Sequence, residues 1–258
     1  MVNLSRMTLC NIQTDMKNVV KMGSLDDLKK RVWKANLELA EKGLVLYTFG
    51  NVSGIDRDRG YVVIKPSGVS YEELTPDMMV TVDLDNNVLD GETRPSSDTK
   101  THVVLYKNFP DIGGVAHTHS IYATSWAQAR RPIPCLGTTH ADYAPGEIPC
   151  TKMLSNKQIN LDYEEETGAQ IVNTFGEYDY RYTPMVLVAS HGPFTWGDSP
   201  EKAVYHSVIL EELARMALIT HNINPDIKSV MRALIQKHFN RKHGKNAYYG
   251  QNNVQKEE

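Results

Sequence analysis

Two histidines one residue apart, His117 and His119, occur in the stretch GGVAHTHS at residues 113–120. The apolar run before them predicts a β-strand, on which residues i and i+2 point to the same face. Two imidazoles side by side suit neighbouring positions on one small cation. Asp98, at a predicted helix start, and His191, directly after the apolar run MVLVAS, add a carboxylate and a third imidazole. Together they form a donor set for Zn²⁺ or a similar divalent ion, with one position left for substrate.

Each of these residues also has a simpler interpretation. A pair of histidines at this spacing is often a hydrogen-bonded surface or core feature. Asp98 can serve only to cap its helix, and His191 can be a hydrogen-bonded turn residue. Two other metal-binding patterns are absent from the sequence: the HxHxDH motif of lactamase-type hydrolases, and a glutamate four residues after HTH, as in cupins. Neither of these two kinds of metalloprotein is therefore indicated.

Three segments with glycine, serine and free backbone amides are candidates for binding an anion. FGNVSG (Phe49–Gly54) and KPSGVS (Lys65–Ser70) each follow a predicted strand, and the second adds a lysine. PSSD adds Ser96 and Ser97 at a helix start, where free N–H groups attract phosphate. Together these segments predict a phosphate held near the metal, although each alone is typical of an ordinary turn. None is a Walker loop or a dinucleotide-binding fingerprint.

The composition of the chain excludes several classes of protein. Hydrophobic residues make up 41% and charged residues 23% of the 258 residues, which is typical of globular proteins. A net charge of −3 gives no strong attraction to nucleic acid or to membranes. No apolar run approaches the ~20 residues that span a bilayer, and the N-terminus lacks the apolar core of a signal peptide. We therefore expect no nucleic-acid partner and no membrane partner.

The cysteines indicate a reducing compartment. Cys10, Cys135 and Cys150 are too few for a disulfide framework, and none belongs to a CxxC pair. A cytoplasmic location is the simplest interpretation.

Periodicity and turn residues predict one α/β domain. Strands follow strands as often as helices do, so we expect a central, mostly antiparallel mixed sheet flanked by helices. A first helix is expected from its cap, Ser24, to Gly43. Strands are expected at LVLYTF, YVVIK, MVTVDL, GGVAHTH and MVLVAS. Further helices are expected at SSDTKTHVVLYKNF (capped by Ser96 or Ser97), at EEETGAQIVNTF, from Ser199-Pro200 to about His221, and from Asn224-Pro225 to about Phe239.

Beyond single motifs, an ordered set of them resembles a known family. GNVS, KPSG, PSSDT, HTHS, GTTHADY, IPCT, SHGPF, RKHG and AYYGQ occur in this order and resemble the class II aldolase family over about residues 24–251. GTTHADY and RKHG…AYYGQ look like the sugar-phosphate epimerases of that family rather than its aldolases. The resemblance implies the family's three-layer fold for residues 24–251. Residues 1–23 and 252–258 lie outside it: the latter are expected to be a tail, and the former, which have no clear period, a flexible extension or an upstream start.

The resemblance also implies roles for individual residues. Zn²⁺, or Mn²⁺ or Co²⁺ in its place, would be bound by His117, His119 and His191, with Asp98 on the metal side. An acid/base pair would match Asp142 and Tyr249. The phosphate-binding positions match Asn51, Lys65, Ser67, Gly68, Ser96 and Ser97. Residues that assist from a neighbouring subunit of a homotetramer, with its sites at subunit interfaces, match Thr138, Glu164, His238 and Arg241.

The reaction that this resemblance implies is inversion at C4 of a ketopentose phosphate. Retro-aldol cleavage of the C3–C4 bond, rotation of the aldehyde and re-addition would interconvert L-ribulose 5-phosphate and D-xylulose 5-phosphate. An aldolase that releases the aldehyde is the alternative, and the short side chain of Asp98 favours the epimerase because the aldolases have glutamate there. A nucleic-acid-binding module is a weaker alternative, based on the basic and aromatic segment KHFNRKHGKNAYYG. The sequence leaves open whether the pathway is arabinose or ascorbate-type breakdown.

Overall fold

The computed structural model describes residues 24–245 and 247–248. They form one seven-stranded sheet in the order β4-β3-β2-β1-β5-β7-β6, with every neighbouring pair antiparallel. The strands are β1 Asn51–Asp56, β2 Tyr61–Ile64, β3 Val80–Asp83, β4 Val88–Asp90, β5 Gly114–His117, β6 Met185–Leu187 and β7 Pro193–Gly197. The helices are α1 Leu25–Glu41, α2 Thr99–Asn108, α3 Ile121–Ala129, α4 Thr138–Ala141, α5 Asn156–Leu161, α6 Tyr163–Thr174, α7 Pro200–Ile223 and α8 Arg232–His243.

Helices cover both faces of the sheet, which gives three layers. Alternate residues of the central strand β1 point to opposite faces. Val52 packs in a core with Leu39 of α1, whereas Ile55 packs in a larger core with Leu105 of α2 and Ile171 of α6. This arrangement confirms the predicted α/β domain with a mostly antiparallel sheet flanked by helices. Within the described part of the chain, no helix is long and apolar enough to cross a bilayer.

The first helix begins as predicted and is clamped to the sheet. The Ser24 hydroxyl accepts from the Asp27 N–H and the Asp27 carboxylate accepts from the Ser24 N–H, each at 3.1 Å, which forms a capping box. Further along α1, the fully buried Asn36 bonds both backbone groups of Val52 in β1, accepting at 2.9 Å and donating at 3.0 Å. Asn36 therefore fixes the backbone next to Asn51, the first residue of β1.

Two predictions about local structure are wrong. LVLYTF (Leu44–Phe49) is not a strand, because positive φ angles at Tyr47 (53°) and Gly50 (74°) turn the backbone before β1 begins at Asn51. The segment FGNVSG is therefore the start of a strand rather than a loop after one. Asn224-Pro225 opens no helix: α7 ends at Ile223, and the following segment is held by a hydrogen bond from Val230 N to the Cys135 carbonyl at 3.0 Å.

Two boundaries near the predicted site also differ. The helix of SSDTKTHVVLYKNF begins at Thr99, so the cap position belongs to Asp98 rather than to Ser96 or Ser97, and the Asp98 side chain makes no capping hydrogen bond. The strand β7, Pro193–Gly197, which follows His191, is not among the predicted strands. The strand begins with a proline and ends with a glycine, and both residues are uncommon in strands, so its sequence does not indicate one. All five of its residues are nevertheless buried.

Replacing Asn36 with alanine should destabilise the domain. The change leaves the buried N–H and carbonyl of Val52 without partners, which costs about 2–4 kcal/mol in free energy of unfolding. Urea denaturation followed by circular dichroism measures it. Asn108→Ala is the matched control, because Asn108 is an exposed helical asparagine whose side chain bonds, among the described residues, only the Val104 carbonyl of its own helix. Equal midpoints for the two variants would contradict the clamp.

Candidate metal centre and anion pocket

The predicted site residues meet at one end of the sheet. His117, the last residue of β5, pairs with Asn51 of β1 on one side and with Phe194 of β7 on the other. Asn51 Nδ2 donates to Asp98 Oδ2 at 2.6 Å, so the start of α2 reaches the same edge. A pocket of about 300 Å³ opens there, lined by the three histidines, Asp98 and the segments predicted to bind an anion.

The three histidines form a group with the geometry of a metal site. One ring nitrogen from each of His117, His119 and His191 lies within 4.8 Å of the others. The Nε2 atoms of His117 and His119 are 3.1 Å apart. His119 lies two residues beyond His117 but outside the strand, so its ring converges from the loop rather than from the same strand face.

Contacts at the Nδ1 atoms of His117 and His191 orient these imidazoles. His117 Nδ1 donates to the Pro193 carbonyl at 2.9 Å, which leaves Nε2 with its lone pair directed at the other two rings. His191 Nδ1 lies 3.3 Å from the hydroxyl of Tyr163. The glycine after His191 is required sterically, because a Cβ at Gly192 would lie 2.8 Å from the Thr118 carbonyl oxygen. Such contacts are typical of metal-binding histidines.

The protonation state of the site suits a cation. Burial and, after it, the neighbouring His117 ring lower the pKa of His191 to about 3. The same two causes lower the pKa of His119. Neutral imidazoles offer lone pairs at pH 7, so no proton has to leave these two rings before a metal binds. A divalent ion bound by three imidazoles fits the residues that are present.

Asp98 is an ionised carboxylate of the pocket rather than a helix cap. Burial would raise its pKa, but the nearby imidazoles of His117 and His102 and the amide of Asn51 outweigh this, and its pKa is below the usual value. The group of atoms within 4.8 Å consists of the three imidazoles and leaves Asp98 out. Its role as a further metal ligand therefore stays a prediction.

Lys65 is a buried cation that faces the pocket without an acidic partner. Within the described chain its ammonium donates to backbone carbonyls, the shortest contact being 2.6 Å to Val69, and it lies 5.0 Å from the centre of the Tyr71 ring. Burial lowers the pKa of Lys65 to about 8, so it is mostly charged at pH 7. A buried charge that is not paired by the protein favours an anionic ligand.

The other predicted anion-binding residues line the same pocket, but one of them offers different chemistry. Asn51 Nδ2 donates to Ser96 Oγ at 3.0 Å and to the Asp98 carboxylate, so both of its hydrogens are used. Asn51 Oδ1 is buried and has no partner among the described residues. Asn51 therefore offers an acceptor, which suits a substrate hydroxyl better than a phosphate oxygen. The remaining members are Ser67, Gly68, Ser96 and Ser97.

Asp142 does not line this pocket in its own chain. Arg241 binds its carboxylate with two nitrogens, at 3.0 and 2.6 Å, and His238 Nδ1 lies 3.2 Å from it. Lys242 Nζ is 3.7 Å away, and His243 Nε2 is 3.0 Å from the Asp142 carbonyl. Burial would raise the pKa of Asp142, but Arg241, Lys242 and His238 outweigh this and lower it. We call these five residues the Asp142 group.

The remaining predicted residues divide between the two places. Thr138 begins α4, and its carbonyl accepts from the Asp142 N–H at 3.0 Å, so it belongs beside the Asp142 group. Glu164 lies in the first turn of α6 next to Tyr163, whose hydroxyl reaches His191 of the metal pocket. Tyr249 lies outside the described residues.

Sequence reasoning missed two polar side chains beside the metal pocket. Tyr163 carries no spacing signal that could have identified it, since its approach to His191 depends on how α6 packs. His102 is fully buried and follows Asp98 by four residues on α2. That i, i+4 spacing on a helix could have linked it to Asp98.

Comparisons with known proteins agree with this architecture. The model of the class II aldolase and adducin N-terminal domain matches residues 30–218. The chain is 54% identical over 227 residues to L-ribulose-5-phosphate 4-epimerase UlaF of Salmonella paratyphi A, covering 88% of this chain and all of that protein.

Solved structures show the same fold. An L-fuculose 1-phosphate aldolase superposes with a TM-score of 0.73 at 24% identity, covering 84% of this chain and 96% of the other. YgbL of Escherichia coli, described as a putative aldolase/epimerase/decarboxylase, superposes with a TM-score of 0.67 at 22% identity, covering 82% and 97%. At these identities the structures establish the fold alone, whereas the family match and the 54% identity establish descent. The chain belongs to the class II aldolase and adducin family.

Proposed function

We propose that this chain is an epimerase that interconverts L-ribulose 5-phosphate and D-xylulose 5-phosphate with the help of a divalent metal. The observation that carries the proposal is that one pocket contains three convergent imidazoles and the buried cation Lys65, which has no acidic partner among the described residues. A ketose phosphate has the two groups that such a pocket takes: a carbonyl with adjacent hydroxyls, and a phosphate. The 54% identity to a 4-epimerase over nearly the whole chain supports the same substrate.

The metal is proposed to be one Zn²⁺ per subunit, bound by His117, His119 and His191 with Asp98 beside them. Mn²⁺ and Co²⁺ accept the same ligands. When bound, the ion supplies Lewis acidity that stabilises negative charge at the substrate's C2 oxygen.

The protein's own groups then have three tasks. A base removes the C4 hydroxyl proton, so that the C3–C4 bond breaks to give glycolaldehyde phosphate and the enediolate of dihydroxyacetone. Lys65, with Ser67, Ser96 and Ser97, keeps the phosphate in the pocket while the aldehyde rotates. An acid protonates the new C4 alkoxide after the bond has reformed on the other face. Asp142 and Tyr249 are the proposed acid/base pair.

These tasks require a second subunit, and we propose a homotetramer with its sites at the interfaces. The Asp142 group does not line the metal pocket of its own chain, so it would have to act on a neighbour's. Phe49 lines the pocket and is exposed, and its ring lies 6.1 Å from the ring of His119. Leu46, Tyr47 and Ile121, which lie within three residues of Phe49 or His119 in the chain, are exposed apolar side chains as well. A neighbouring subunit over this rim would exclude water and supply Asp142, Thr138, His238 and Arg241 to the pocket. Glu164 is the further residue proposed to assist from a neighbouring subunit.

The proposal extends to the setting of the protein. Cys135 and Cys150 are free thiols, which is consistent with the cytoplasm, where phosphorylated sugars are substrates. The division into a domain at residues 24–251, an extension and a tail is part of the same proposal. The partner that it requires is a small sugar phosphate.

Purified protein should convert L-ribulose 5-phosphate into D-xylulose 5-phosphate only when it holds a metal. Chelation should lower the rate at least ~100-fold, and added Zn²⁺ should restore it, because the Lewis acid is needed to stabilise the enediolate. A coupled assay measures the epimer, and glycolaldehyde phosphate is quantified in the same tube. Release of this fragment without the epimer would make the protein an aldolase instead.

Two inactive variants should restore activity when they share a tetramer. Asp142→Asn and His119→Asn should each lower kcat about 10²–10⁴-fold, since each removes one half of a site. Each proposed site takes His119 from one subunit and Asp142 from the next subunit of the ring. In mixed tetramers about a quarter of the sites therefore combine an intact His119 with an intact Asp142, and about a quarter of the wild-type activity should return. The variants are co-expressed with different tags and purified through both. Mixed tetramers without recovered activity would show that Asp142 acts within its own chain or not at all.

Phosphate binding should weaken as the pH rises through about 8. Lys65 is charged below its lowered pKa of about 8 and neutral above it, so the dissociation constant for inorganic phosphate should rise up to tenfold per pH unit there. Isothermal titration calorimetry at pH 7, 8 and 9 measures the constant. Lys65→Met is the control, with weak and pH-independent binding. A wild-type constant that does not change with pH would contradict the role of Lys65.

A further inference from the structure

The mechanism proposed above makes no use of His102, a buried histidine next to the metal pocket. It lies on α2 one turn after Asp98, is fully buried, and packs edge-on against Phe194, with the ring centres 5.9 Å apart. Burial lowers its pKa to about 3, so the ring is neutral and carries a single N–H at working pH.

A chain of buried hydroxyls determines which nitrogen carries that hydrogen. Burial raises the pKa of Tyr106, so the phenol keeps its proton. Among the described residues, the hydrogen-bond partner of that hydroxyl is Ser53 Oγ at 2.8 Å, so the phenol donates its hydrogen to the serine. Ser53 must then donate to His102 Nδ1, which lies 2.7 Å away. The N–H of His102 is therefore on Nε2.

That Nε2–H has no partner among the described residues. An unsatisfied buried donor costs about 1–3 kcal/mol, so an acceptor is expected. The charge that attracts His102 is the carboxylate of Asp98. Asn51 occupies Oδ2 of this carboxylate, which leaves Oδ1 for a second donor. Asn51 Oδ1 is an unpaired acceptor in the same pocket, but it is neutral, and hydrogen bonds to a charged acceptor are about twice as strong.

We propose that His102 is a positioning residue that donates its Nε2–H to the Asp98 carboxylate once the metal is bound. The relay Tyr106–Ser53–His102 then holds this carboxylate oriented towards the three metal-binding imidazoles. The inference rests on the proposed metal site, but it does not depend on which sugar phosphate is turned over.

Two substitutions at His102 distinguish the roles of its two ring nitrogens. His102→Gln keeps an N–H donor near the position of Nε2, whereas His102→Asn keeps a polar atom near Nδ1 and loses the donor. We expect His102→Asn to weaken Zn²⁺ binding about 10–100-fold and His102→Gln to change it less than about threefold. Competition with a chromophoric chelator measures the dissociation constant on the folded tetramer.

Tyr106→Phe is the matched control for damage to the buried network. It removes the outer hydroxyl of the relay, but Ser53 can still donate to His102 Nδ1. This variant should lose thermal stability and keep wild-type Zn²⁺ affinity. If all three variants bind Zn²⁺ as wild type does, or if His102→Gln binds as weakly as His102→Asn, the proposal is wrong.

Neutron diffraction from the zinc-loaded protein tests the proton directly. We expect deuterium on His102 Nε2 within hydrogen-bonding distance of an Asp98 oxygen. Deuterium on Nδ1, or an Nε2–D directed at Asn51 Oδ1, would overturn the proposal. Neither measurement needs turnover: an inactive protein that shows both signatures would contradict the proposed function and support this inference, and an active protein without them would do the reverse.

Discussion

The register of β5 between β1 and β7 is the constraint on which the site depends. It places His117 opposite Asn51 and Phe194 at the same end of the sheet. A shift of one residue would turn the His117 side chain to the opposite face, away from Asp98. The buried hydrogen bonds between Asn36 and Val52 hold β1, the neighbour of β5, in place. The same bonds therefore contribute to the stability of the fold and to the geometry of the site.

The buried side chains of Lys65 and Asp142 have opposite ionic surroundings. Lys65 faces its pocket, and no acidic side chain in the described part of the chain pairs with it, which leaves its charge for a ligand. Asp142 has the reverse arrangement, since a bidentate arginine, a histidine and a lysine surround its carboxylate. A carboxylate held in this way is a weak base. The proposed proton transfer by Asp142 therefore requires that substrate and the proposed neighbouring subunit change these contacts.

The sequence predicts the class of the fold and the members of the metal pocket because their signals are local. Apolar runs that end in histidine mark strand ends, and Ser24 with Asp27 marks a helix start. The failures are tertiary in origin. Leu44–Phe49 has the composition of a strand, but positive φ angles turn it. The segment after Asn224-Pro225 forms no helix, and the Val230 N–H in it donates to the Cys135 carbonyl instead. Neither the contact of Tyr163 with His191 nor the grouping of Asp142 with Arg241 has any signature in sequence spacing.

The central claim is that one pocket holds both a divalent metal and the phosphate of a ketose, with Asp142 supplied by a neighbouring subunit. Crystals of the zinc-loaded Asp142→Asn protein with bound L-ribulose 5-phosphate, measured at the zinc absorption edge, test it most directly. The account predicts an anomalous peak bound by His117, His119 and His191, the substrate phosphate beside Lys65, and residue 142 of an adjacent subunit facing the C4 hydroxyl. A metal bound away from the three imidazoles, or a phosphate away from Lys65, would contradict it.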